Sequence, residues 1–174
     1  MIHITLGPRK VEPRGDPLGR PYFGWSESMT EDEVYQWNRG RWVLGARADT
    51  ERYALFSARD TTGAKLVRAA IEIEDIEDTG EGRRAMRGHV LRPGHPVHDR
   101  YVGGPALVDP ARNPVNYVDS PLDDQKFCAC GCGDATTLAR DFLPGHDQRA
   151  IHARIAQVGT VRDFLDWFDA TWKQ

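Results

Sequence analysis

The chain has 174 residues, 40% of them hydrophobic, and a formal net charge of −3, enough for one ordinary domain plus a small appendage. No run approaches the roughly 18 apolar residues of a membrane span, and the opening MIHITLGPRK has no signal-type apolar stretch. Three cysteines within five residues cannot build a disulfide framework, so the expectation is a cytoplasmic protein with no membrane partner. Residues 1–120 carry 17 basic against 18 acidic side chains and the remainder 6 against 8, which disfavours indiscriminate phosphate binding. Of the 23 cations, 19 are arginine, however, and a local arginine cluster can still serve a small phosphate or base-edge site.

In chain order, residues 2–6 read as a short strand. The following GPRKVEPRGDPLGRPYFGW reads as an irregular arm, ordered because Tyr22, Phe23 and Trp25 are too apolar for water. Ser28 and Glu31 have capping-box spacing, MTEDEVYQWN reads as the first helix, and Gly40 stops it. From Arg41 to Tyr117 the pattern is β: RWVLGA, RYALFSA, KLVRAAIEIEDI and RRAMRGHVL are apolar alternations separated by turn clusters. Leu66, Ala69, Ile71, Ile73 and Ile76 cannot all share one face at period two, which predicts a bulge near Ala69. Glu72 and Glu74 are placed to meet Arg84 and Arg87 across the strands. Four adjacent strands predict a small curved, partly closed barrel, over whose mouth the proline-rich residues 92–121 form a long structured loop.

Within that loop His95, His98 and Asp99 are the candidate proton-transfer residues, two imidazoles three apart beside a carboxylate. No nucleophile elbow, phosphate loop or dinucleotide fingerprint is present. Trp42, Tyr53, Arg100, Tyr101 and Tyr117 are candidates for walling a pocket that takes a flat group.

The segment FCACGCGDATTLARDFLPGHD, residues 127–147, carries the strongest chemistry. Cys128, Cys130, Cys132 and His146 supply the number and type of ligands of a closed structural zinc site, with His152 in reserve. Gly131 and Gly133 suit a knuckle that needs left-handed backbone. The cysteines are two apart rather than in the commoner C-x-x-C spacing, and buried reduced thiols or a redox group are the competing readings. Residues 135–142 read as a hairpin, Gly145-His146-Asp147 opens a helix, and Thr160 caps a last helix. In that helix Val161, Phe164, Leu165 and Phe168 recur at core spacing.

The strand series of residues 41–118, closed by NPVNYV, resembles the small barrels of the PUA-like superfamily, which includes the EVE, ASCH and SRA-type domains; the ASCH signature is missing. The segment ending in FLPGHD is similar to small zinc-binding tails on DNA-associated bacterial and phage proteins. The resemblance implies recognition of DNA or RNA, including a modified base, in an aromatic pocket. The resulting expectation is an α+β protein. Residues 1–121 form the barrel domain with arm and helix, and 122–174 a zinc-finger-like segment with two helices whose Arg149 and Arg154 touch phosphates. An enzyme using His95, His98 and Asp99, or a protein-interaction module, are the alternatives, and the oligomeric state is open.

Overall fold

The alternation of Ile2, Ile4 and Leu6 against His3 makes β1 (Ile2–Leu6) an interior strand, buried on both faces along nearly its whole length. In the computed structural model, which describes residues 1–11, 16–108, 113–137 and 139–172, the chain divides into two units, Met1–Asp124 and Gln125–Gln174.

In the first unit, β2 (Lys10–Val11) and β3 (Tyr22–Phe23) form a two-stranded ribbon, followed by α1 (Glu31–Asn38) and a 3₁₀ turn at Ala46–Thr50. The strands β4 (Tyr53–Arg59), β5 (Lys65–Asp78), β6 (Arg84–Val90) and β7 (Val115–Tyr117) join β1 in a mixed sheet, with α2 (Pro96–Tyr101) inserted before β7. The sheet order is β6-β5-β4-β1-β7. β1 runs parallel to β4 and antiparallel to β7.

This corrects the expected barrel. β6 and β7 are edges at opposite ends of an open sheet, so it does not close. The physical reason is the place of β1: the N-terminal strand inserts between β4 and β7, and RWVLGA is not a strand. Arg41 turns the chain with φ 63, Trp42 makes a single bridge to Arg84, and the 3₁₀ turn follows.

Period-two alternation gives the sheet two buried faces. Ile2, Ile4, Ala54, Phe56, Ala69, Ile71 and Met86 share one, with Val34 and Tyr35 of α1. The other carries His3, Tyr53, Leu55 and Ser57, and is met by α2, whose first flank sets the His95 ring edge-on to Tyr53 at 5.8 Å. The expected bulge exists: the register shifts between Phe56 and Ser57, opposite Val67–Ala69. A second shift between Ile73 and Asp75 lets Ile76 rejoin Ile73 against the first core. Gly88 is required here, since a Cβ would lie 2.0 Å from the Glu72 carbonyl oxygen.

Two S/T-x-x-E patterns compete at the start of α1, and the second wins. Thr30 Oγ1 accepts from the Glu33 amide at 3.3 Å, and Glu33 Oε2 accepts from the Thr30 amide at 2.8 Å. The Ser28 cap is thereby corrected, and Glu31 is left to face His98. The arm is ordered by buried polar ties. Asn38 donates to the Gly24 and Val34 carbonyls and accepts from the Gly24 amide. The Arg20 guanidinium grips Asp16 at 2.9 and 3.0 Å and donates to the carbonyls of Trp37 and Gly40. Residues 12–15 of the arm and 109–112 of the proline-rich segment lie outside the described residues; the remainder of that segment is interrupted by α2 and β7 rather than being one loop. Of the expected cross-strand pairs, Arg87 meets Glu74 at 2.7 Å. Arg84 turns to Asp49, and Glu72 pairs with His89 and Arg52.

The second unit holds β8 (Lys126–Phe127) paired with β9 (Ala135–Thr136), then α3 (His146–Val158) and α4 (Val161–Trp172). The hairpin therefore spans the knuckle instead of lying within residues 135–142. Thr160 caps α4 through a reciprocal pair with Asp163, at 2.7 and 3.2 Å. α4 buries none of its residues, so its apolar spacing is not core packing.

One consequence of the two-faced sheet is a pH dependence. His3 is fully buried, its Nε2 lies 2.7 Å from Ser57 Oγ, and its Nδ1 has no partner. Burial, reinforced by the Lys65 charge, pushes its pKa down to about 4. The unfolded chain protonates first, so the contribution of a neutral His3 is complete above its ordinary value of 6.5 and is lost as pH falls from there towards 4. The difference in unfolding free energy between wild type and His3→Leu should fall by about 3 kcal/mol across that window and stay flat above it. Denaturant titrations at stepped pH check this, and a flat difference throughout would contradict it.

Candidate metal centre

The knuckle is built by two left-handed glycines. Gly131 and Gly133, at φ 84 and 80, reverse the chain after Cys130 and Cys132, so cysteines at alternate positions converge instead of pointing apart. Backbone hydrogen bonds fix the turn: the Cys128 amide donates to the Asp134 carbonyl at 2.9 Å, the Ala129 amide to the Asp141 carbonyl at 2.8 Å, and the Gly131 amide to the Cys128 carbonyl at 3.2 Å. Gly145, also left-handed at φ 79, launches α3 and puts His146 in its first turn.

One donor atom from each of Cys128, Cys130, Cys132 and His146 lies within 4.8 Å of every other. The Cys128 and Cys130 sulfurs are 3.4 Å apart, and His146 Nδ1 is 3.7 and 3.3 Å from them. A tetrahedral zinc site with ordinary bond lengths has edges of roughly 3.8 Å between sulfurs and 3.6 Å from sulfur to nitrogen. Cys128, Cys130 and His146 thus stand close to the spacing of such a site, with the Cys132 donor within 4.8 Å of each of them. The Leu143 amide also donates to Cys128 Sγ at 3.3 Å, the sort of outer contact that steadies a ligating thiolate. His152 is exposed on α3 and takes no part in the cluster.

The sulfurs do not titrate alike. Burial raises Cys128, but amide donors from Cys130 and Leu143 and the neighbouring thiols outweigh it and hold Cys128 below the ordinary thiol range. Burial, joined by Cys130 and the Asp134 carboxylate against the opposing Asp134 amide, pushes Cys132 up to about 11. Three thiolates cannot share so small a space without a cation among them; a divalent ion reverses that balance and keeps all three deprotonated.

The other candidate residues lie in the first unit and are largely used up by the fold. His95 caps α2, its Nδ1 accepting from the Val97 amide at 3.2 Å, and burial lowers its pKa against the opposing charge of Glu72. His98 is buried with Nε2 3.4 Å from Glu31 Oε1 and Nδ1 3.1 Å from Asp99 Oδ1. The Asp99 carboxylate, held below its ordinary range first by the Gly94 amide and then by His98, accepts that amide at 3.0 and 3.1 Å. The three brace α2 against α1. Tyr53 is wholly buried and cannot stack on a ligand. Tyr101 is nearly buried, its hydroxyl 2.8 Å from Ser120 Oγ, with the Arg100 guanidinium 6.0 Å over its ring. Tyr117 accepts from the Gly45 amide at 3.1 Å beneath the Arg47 guanidinium, 5.2 Å away.

Trp42 is differently placed. It lines a cleft of about 510 Å³ with Phe23, Arg20, Arg41, Arg83 and Glu81. Arg41 and Glu81 are the two left-handed residues other than glycine among those described, and they pair at 2.6 Å. Arg83 has no carboxylate partner among the described residues. Sequence reasoning missed this cleft: Arg41 and Arg83 sit at element ends far apart in the chain, and only the bridge between Trp42 and Arg84 brings them together. Arg149 and Arg154 are exposed on α3.

No protein-family model matches the chain, and neither a curated protein nor a solved structure matches it. Among the described residues no helix is long and apolar enough to cross a membrane.

A direct check of the centre is metal content. Protein purified without chelator should carry about one zinc per chain, Cys130→Ser should lose it, and His152→Ala should keep it. Chelation should accelerate amide exchange across residues 127–157 while the sheet of the first unit stays protected. Metal-free protein, or exchange indifferent to chelation, would sink the assignment.

Proposed function

We propose that the chain is a zinc-folded recognition protein for nucleic acid or a modified nucleobase. The observation that carries the metal part is the convergence of Cys128, Cys130, Cys132 and His146, whose donor atoms all lie within 4.8 Å of one another. Four protein donors fill the coordination of zinc and leave no position for a reacting water, so the ion supplies folding energy and not chemistry.

Two features support the recognition part. α3 starts at the ligand His146 and exposes Arg149 and Arg154, which suit phosphate contacts. In the first unit, the Trp42 face stands in a cleft with Arg41 and Arg83, an aromatic plane beside guanidinium groups, which fits a base and its phosphate. The enzyme alternative is weaker, because His95, His98 and Asp99 are occupied in bracing α2 and none of them lines that cleft.

With a net charge of −3, binding rests on few cations. Titrations of oligonucleotides at several salt concentrations should give a shallow dependence, about two to four phosphate contacts at roughly 0.7–0.9 in log K per contact. Arg149→Ala and Arg154→Ala should each flatten the slope by about one contact and weaken all sequences alike, while Trp42→Ala should remove base preference and leave the slope unchanged. A steep slope with no base preference, or no binding to any oligonucleotide, would refute the reading.

A further inference from the structure

Of the ten large apolar side chains that are exposed among the described residues, seven lie on α3 and α4: Ile151, Val158, Val161, Leu165, Trp167, Phe168 and Trp172. Phe164, Phe168 and Trp172 stack along one side of α4 with ring centroids 6.2 and 6.3 Å apart. Together with Val161 and Leu165 they make a continuous apolar stripe on a helix that buries nothing. A helix of 12 residues is marginal by itself in water. A stripe of this size calls for a partner surface.

The charges on α4 select among partners. Its polar side carries Asp163, Asp166 and Asp169 against the single Arg162, a balance that repels phosphate and so disfavours an anionic membrane surface or a nucleic-acid strand on this face. Arg162 and Asp169 are seven residues apart, two turns of helix, and therefore lie on the same flank of the stripe near opposite ends. When a helix lies antiparallel on its own copy about a two-fold axis, each flank meets the same flank running the other way. Arg162 then faces the partner's Asp169, and Asp169 the partner's Arg162. A parallel pair would set this flank against the opposite one, where Trp167 and Thr171 lie, and would form neither ion pair. The seven side chains are 42–68% exposed, which leaves roughly 600–700 Å² to bury per copy, close to the roughly 800 Å² per partner of a standard interface.

We propose that α4 is a self-association surface: two copies of the chain pair through antiparallel α4 helices, flanked by Ile151 and Val158 and registered by two reciprocal Arg162–Asp169 ion pairs. The proposal is independent of any nucleic-acid ligand.

Sedimentation velocity on the full zinc-loaded chain tests it. Wild type should sediment at twice the chain mass and dissociate on dilution. Leu165→Asp, at an exposed position, should be monomeric with unchanged helical circular dichroism. Arg162→Asp and Asp169→Arg should each weaken dimerisation about tenfold or more, and the double variant should return to within about threefold of wild type, because the swap restores both pairs. A wild type that is monomeric at every concentration, a dimer indifferent to Leu165→Asp, or single variants that weaken with no recovery in the double would each overturn it.

Discussion

A unit of fifty residues in which, among the described residues, only Phe127, Cys128 and Ala150 are buried cannot be held together by hydrophobic burial. The second unit instead depends on the convergence of three sulfurs and one imidazole nitrogen. The rest of the unit follows from it: β8 and β9 bring the knuckle round, Gly131 and Gly133 let alternate thiols face one centre, and Gly145 launches α3 with His146 already turned inward. Cys128 is the hub. Its backbone ties to Asp134, its carbonyl receives Gly131, and its sulfur receives the Leu143 amide. A cation held at this point would replace a core that the sequence is too short and too polar to build.

The first unit solves the opposite problem. It has more than enough apolar surface, and its polar side chains serve to bind irregular chain to a regular sheet. Arg20 holds the arm through Asp16 and two carbonyls, Asn38 holds Gly24, and His95, His98 and Asp99 seat α2. That use explains why a histidine-rich segment with the look of catalysis does not behave as a site. Its groups are paired with each other and with Glu31, His98 is buried, and the exposed Asp99 carboxylate is taken up by the Gly94 amide and His98. The groups that do face solvent in a concave setting are arginines beside an aromatic plane, Arg41, Arg83 and Trp42.

How much of this could be read from the residues depended on the range of the interactions. The knuckle was legible because its ligands, its glycines and the helix start at Gly145 lie within twenty residues of one another and obey local rules. The bulge in β5 was legible because a period-two pattern broke visibly at Ala69–Ala70. The partly closed barrel was a misreading, since alternation reports that a strand is half-buried and says nothing of which strand it pairs with; β1 reaches β4 across fifty residues of chain. Helix starts failed in a smaller way. Ser28 and Thr30 offer the same cap spacing, and only tertiary contact of Val34, Tyr35 and Glu31 decides between them. The stripe on α4 had the spacing of a core helix, yet its residues are exposed, because periodicity marks a surface that wants cover without naming what covers it.

The central claim is that three sulfurs and one nitrogen of this chain hold a single zinc ion. X-ray absorption at the zinc edge on the purified full-length chain tests it most directly. The account predicts a four-coordinate first shell of three sulfur neighbours at about 2.3 Å and one nitrogen at about 2.0 Å, with the outer-shell scattering of an imidazole. A shell dominated by nitrogen and oxygen, four sulfurs shared between chains, or no zinc at all would contradict it.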